Sequence, residues 1–156
     1  MKMMSLYLFL HLLGAVLLVG NIITAAFWKI RADMKGDLAV IHSAAKNVML
    51  ADFLFTIPGI ILIIVTGNLM AIEAGYSLSG FSWVTLSQAL FILTGVIWVV
   101  LLLPLQRSMI RHSAKALETG ALHGAYRKAS LIWAIFGTVA TLLPVVILYL
   151  MIHKPV

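Results

Sequence analysis

The feature that most constrains this chain is the recurrence of four long apolar stretches within 156 residues. They cover about 5–28, 48–72, 83–105 and 131–152. At about 1.5 Å per residue, each can cross the hydrocarbon of a bilayer as a helix. A helix is also what that medium demands, because backbone groups find no water there and must bond within their own segment. Only 10% of the residues are charged and 63% are hydrophobic, too apolar a balance for a soluble surface. The expectation is all-α: a polytopic membrane protein, an up-down bundle of four transmembrane helices forming a single domain over 1–156. The stretches use most of the chain and leave no room for a separate soluble domain.

Charge sets an orientation. Lys29, Arg31, Lys35 and Lys46 lie between the first two stretches; Arg107, Arg111, Lys115, Arg127 and Lys128 lie between the last two. The other side has Lys2 and Lys154, and 73–82 has neither Lys nor Arg. The positive-inside rule then predicts a bacterial-type plasma (inner) membrane protein with both termini outside. The apolar part of Met1–Ala26 exceeds the ~7–15 residues of a signal-peptide core, so this segment is expected to stay as a span. The net charge of +6 flanks apolar spans, which points to anionic lipid headgroups rather than nucleic acid. Small-residue faces serve packing within the chain, a homo-oligomer or a membrane complex equally well.

Within the spans, Pro58 and Pro144 are expected to kink helices without breaking them, since neighbours can re-satisfy a freed carbonyl. Asp37 is a plausible N-cap for a helix starting at Leu38. Span three is expected to close at Pro104 and Arg107. The polar stretch 107–128 reads as a short helical hairpin or as extensions of spans three and four.

With no cysteine, thiolate metal sites, cysteine-ligated clusters and thiol catalysis are excluded. HExxH, P-loop, GxGxxG and EF-hand patterns are absent. Function has to be sought in polar residues at membrane depth, which are costly and usually have a partner or a task. At heptad spacing, span one carries His11, Gly14, Leu18, Asn21, Ala25 and Trp28. Span two carries Asp52, Thr56, Gly59, Ile63, Thr66 and Met70, and span three Gln88, Phe91, Gly95, Trp98 and Leu102. Span four carries Ala134, Thr138, Thr141, Val145 and Leu148, with Tyr149 beside it. His11, Gln88, Thr66 and Tyr149 fall at one depth in the outer half; Asn21 and Asp52 form a polar pair nearer the basic side. His11 can be read as a helix-fastening hydrogen-bond partner of Gln88 or Tyr149, as a haem b iron ligand, or as a proton or metal site. For haem, His153, Met151 or Met70 would supply the second ligand, and Gly14 and Gly95 would admit the ring. Asp52 reads as a partner of Asn21 or Lys46, or as a carrier of protons. His42, His112 and His123 are expected to be solvated or lipid-facing.

The segments Phe9-Leu10-His11-Leu12-Leu13-Gly14 with Val19-Gly20, Ala51-Asp52-Phe53 with Pro58-Gly59, Thr66-Gly67, Trp83, Pro104-Leu105-Gln106-Arg107 with Met109, and Met151, Lys154, Pro155 resemble the integral-membrane family called domain of unknown function 2269. The resemblance covers nearly the whole chain and implies no established reaction. The first helix is also similar to that of four-helix membrane protoporphyrinogen oxidases, in which a first-helix histidine binds haem b, and to copper-resistance D proteins. Only His11 matches the oxidases' ligand, and Val19 precedes Gly20 where they usually have tryptophan. Two function classes follow: a haem- or tetrapyrrole-linked redox protein using His11, Gln88, Tyr149 and Thr66, or a non-catalytic membrane subunit or small ion or metal transporter using Asp52 and Asn21. Whether the chain is an enzyme stays open at this point.

Overall fold

The computed structural model describes residues 2–76 and 80–154; the middle of the 73–82 loop and Pro155 of the tail motif lie outside them. The described chain is helical throughout. Helix α1 is Lys2–Lys35. Helix α2 (Leu38–Ala51), a π-helical turn (Asp52–Thr56) and α3 (Ile57–Glu73) form the second rod. Helix α4 (Trp83–Ile97), a second π-turn (Trp98–Leu102) and α5 (Leu103–Thr119) form the third, and α6 (Gly124–His153) is the fourth. All four rods are long and apolar enough to cross a membrane. Each runs well past the ~30 Å hydrocarbon thickness. The helical hairpin at 107–128 is therefore made of the extended ends of α5 and α6.

The turns at the basic end follow from local chemistry. Gly36 at φ 75° reverses the chain after α1, and Gly120 at φ 74° ends α5 in the left-handed conformation that glycine adopts without penalty. Asp37 caps α2, accepting from the backbone N–H of Ala39 at 2.9 Å and of Val40 at 3.1 Å.

The prolines act as expected in one respect and differently in another. Pro58 lacks an N–H and its ring crowds the carbonyl four residues back. The helix responds by widening just upstream, where the Ile57 N–H reaches the Asp52 carbonyl five residues back. Pro104 does the same rather than ending span three: the Leu103 N–H bonds the Trp98 carbonyl, and the helix continues to Thr119. Pro144 lies inside an uninterrupted α6. Asp52 and Trp98 thus occupy equivalent places, each opening a π-turn six residues before a proline.

The packed core sits towards the basic end, where α1, α2, α5 and α6 converge. Ile41, Ala45, Val48, Leu102, Met109, Tyr126, Ala129 and Trp133 form it. In the half that carries the termini, α3 packs on α1 and α4 on α6, as two pairs. The inward stripe of span four is Tyr126, Ala129, Trp133, Ala140, Ile147 and Leu150, one position removed from the expected one. Val145, Leu148 and Tyr149 face outward, while Thr138 and Thr141 border the cavity beside Asp52. Threonine is a weak marker of a polar contact here. Its hydroxyl is satisfied within its own helix, Thr138 by the Ala134 carbonyl at 2.8 Å and Thr141 by that of Gly137 at 2.7 Å.

Candidate functional site

Asp52 is the centre of the polar interior. The π-turn directs both Asp52 and Thr56 inward, and both are buried. One carboxylate oxygen accepts from Asn21 Nδ2 at 2.9 Å and from Thr56 Oγ1 at 3.0 Å. The other accepts from Trp98 Nε1 at 3.0 Å and Gln106 Nε2 at 2.7 Å. Asn21 also donates to Thr56 at 3.0 Å. Three rods thus meet on one side chain. An ionised carboxylate has about four acceptor positions and no donor, and here four donors face it. Lys46 takes no part.

A cavity of about 130 Å³ adjoins this cluster, walled by Asp52, Thr56, Thr94, Trp98, Gln106 and Trp133 among others. Two polar atoms in its wall residues have no hydrogen-bond partner among the described residues: Gln106 Oε1, an acceptor, and Trp133 Nε1, a donor. Gln106 is 1% exposed. Buried polar groups are nearly always paired, so an unmatched donor and acceptor beside one cavity mark a place for a polar guest.

Further towards the basic end lies a cluster that sequence reasoning missed. Lys29 is 1% exposed although it lies at the end of an apolar span. Its ammonium pairs with Asp33 at 2.6 Å, donates to Ser130, and lies over the Trp133 ring at 5.3 Å. Asp33 in turn accepts from Tyr126 at 2.6 Å and Ser130 at 2.9 Å, joining α1 to α6. The signal available in the sequence was the i, i+4 spacing of Lys29 and Asp33, a pair that faces along one helix. His42, expected to be solvated or lipid-facing, is half-buried and within hydrogen-bond distance of Ser113, Nδ1 to Oγ 2.9 Å, across α2 and α5.

The expected ring of His11, Gln88, Thr66 and Tyr149 is only partly assembled. His11 is buried, with Nδ1 3.2 Å from Thr66 Oγ1. The Thr66 hydroxyl is donated to the Leu62 carbonyl, which leaves its oxygen to accept from the imidazole N–H. Gln88 instead donates to Asn68 at 3.0 Å. Tyr149 is 57% exposed and stacks on His153, ring centroids 4.0 Å apart. The reason lies in the register of span four, which turns Tyr149 away from the bundle.

These residues do not fit a haem. The Cε1 edge of the His11 ring lies 3.0 Å from where a Cβ on Gly67 would stand, so α3 closes over it. Gly14, expected to admit a flat ring, is occupied by the backbone of Gly59. His153, one of the expected second ligands, stacks on the exposed Tyr149 instead, and Lys154 lies over the Trp83 ring at 5.8 Å. His11 fastens α1 to α3. His11→Ala is expected to lower stability in detergent by about 1 kcal/mol, the scale of one interhelical bond in a membrane. A haem Soret band in the purified protein, lost in that variant, would overturn this.

The model of the family described as predicted integral membrane protein (DUF2269) matches residues 5–155, and the chain belongs to that family. No curated protein and no solved structure matches it.

Proposed function

We propose that this is a small proton-translocating membrane protein in which Asp52 is the proton-carrying station, set in a bacterial-type plasma membrane with both termini outside. The observation that carries the reading is the unpartnered Gln106 Oε1 beside a carboxylate that only accepts. A protonated Asp52 must donate its hydrogen to something. Rotating the Gln106 amide exchanges Nε2 for Oε1 at the same carboxylate oxygen and supplies that acceptor. One side-chain rotation thus serves both states, and the adjoining cavity has room for water to bring the proton. A metal ion is disfavoured: no group of three or more His, Cys, Asp or Glu gathers among the described residues, and the positions on Asp52 are filled.

A second reading has its own support. Saturation of Asp52 by four donors is also what a purely structural hub in a non-catalytic membrane subunit would need. Proteoliposomes separate the two. With an imposed membrane potential and an internal pH dye, the wild type should acidify vesicles faster than protein-free controls. Gln106→Met, which keeps the volume and removes the amide switch, should return the rate to the control while the protein remains folded and incorporated. A wild type indistinguishable from empty vesicles, at verified incorporation, would leave the structural reading.

A further inference from the structure

We propose that the groove between α1 and α2 is a binding site for one phospholipid with an anionic headgroup, drawn from the leaflet at the basic end. The two helices diverge from the Gly36-Asp37 turn and leave a lateral groove of about 1040 Å³. That is at the upper limit of ordinary small-ligand pockets, ~300–1,000 Å³. Its walls carry small residues, Ala25, Ala32, Ala44 and Ala51, which keep the space between the helices open. Its flank faces the bilayer, with Trp28 66% and Met34 72% exposed.

Polarity changes along the groove as it does along a lipid. Lys35 stands at the mouth. Arg31 on α1 and Ser43 on α2 come next, each about 7–9 Å from the turn by helical rise. Asn47 is about 6 Å deeper than Ser43. Beyond it the polar lining, Asn21 and Thr24, is committed to Asp52, Thr56 and carbonyls of α1, and the rest of the wall is apolar, with Phe55 at the far end. Arg31, Lys35, Ser43 and Asn47 have no hydrogen-bond or ion-pair partner among the described residues. Two cations at headgroup level, a hydroxyl, then an amide and an apolar floor correspond to phosphate, glycerol esters and acyl chain. The nearby acids do not neutralise the cations. Asp37 is engaged in capping α2, and Asp33 is committed to Lys29, Tyr126 and Ser130.

A second copy of the chain is the competing occupant. A two-fold interface would bring the same patch to itself and set Arg31 and Lys35 against their own copies. An anionic lipid brings the opposite charge, and each basic residue near the surface contributes on the order of 1 kcal/mol to such attraction.

Trp28 supplies the readout. The full-length protein in neutral detergent is titrated with phosphatidylglycerol or phosphatidylcholine brominated in the acyl chain. Saturable quenching of tryptophan fluorescence by the anionic lipid is expected, with that component missing in Trp28→Phe. The combined substitution Arg31→Gln, Lys35→Gln should weaken the anionic lipid about 30-fold, two basic residues' worth, with an unchanged melting temperature because both side chains are exposed and unpaired. Equal quenching by the two lipids would overturn the proposal. So would quenching unaltered in the double variant, or a dimer that shields Trp28 from both lipids.

Discussion

Asp52→Ala is expected to be among the most destabilising single substitutions in the chain, at roughly 3 kcal/mol. It removes the shared acceptor of Asn21, Thr56, Trp98 and Gln106 at once. Individual interhelical bonds in membranes average only about 0.6 kcal/mol, so four contribute a little over 2 kcal/mol. The stranded donors add to this, because a buried donor without a partner loses its solvation outright. Relief from burying a charge works in the opposite direction and keeps the total below the sum of four full penalties. Asp52→Asn should cost less, about 1–2 kcal/mol. Its amide still offers one oxygen, and Gln106 can rotate to meet the new N–H, but the Trp98 indole has only a donor and is left facing one. Unfolding in mixed micelles with increasing SDS measures the order Asp52→Ala, Asp52→Asn, wild type. If Asp52→Ala unfolds with the wild type, the carboxylate does not hold the rods together.

Substitution at the α1–α3 crossing is expected to be comparably severe. A Cβ on Gly14 would stand 2.9 Å from the Gly59 carbonyl oxygen and 2.9 Å from Leu62 Cβ. A Cβ on Gly59 would stand 2.9 Å from the Gly14 carbonyl oxygen and 3.1 Å from the Leu18 backbone nitrogen. The obstacles are mostly backbone, so neither helix can give way by changing a rotamer. Gly14→Ala should cost about 2 kcal/mol, within the usual range for overpacking, and Gly14→Leu more. Gly20 is the internal control. It lies on the same helix with nothing within 4 Å of the position of a Cβ. Gly20→Ala should be neutral or stabilise by up to ~1 kcal/mol through helix propensity. The same unfolding titration decides it: equal effects at Gly14 and Gly20 would mean that the close crossing is not what joins α1 to α3.

The polar residues of the interior differ in how far the sequence disclosed them. Asn21 and Asp52 are identifiable because polar side chains at membrane depth are rare and stand out against the apolar background. Trp98 is placed inward by heptad spacing, although a tryptophan is ordinary in a span. Gln106 is not identifiable, because it lies beyond a proline that would normally mark the end of a helix. Only the widening of the backbone before Pro104 carries α5 onward and brings Gln106 to Asp52. Lys29 is a clearer case. By position it is a flanking cation of the kind that sets topology, and its burial depends on Asp33, Ser130 and two rings contributed by α6.

The sequence by itself determined the class of solvent, the number of crossings and the side on which the basic residues gather. Those properties follow from transfer free energy and backbone hydrogen bonding, which act on each segment alone. Tertiary structure decided which polar residues meet. His11 goes to Thr66 and not to Gln88 or Tyr149, because azimuthal register is set by how neighbouring rods pack, and a threonine satisfied by its own helix gives no sign of which way it faces. The π-turns open at Asp52 and Trp98, which heptad spacing already places inward, and by carrying the third rod past Pro104 they bring Gln106 to the same carboxylate.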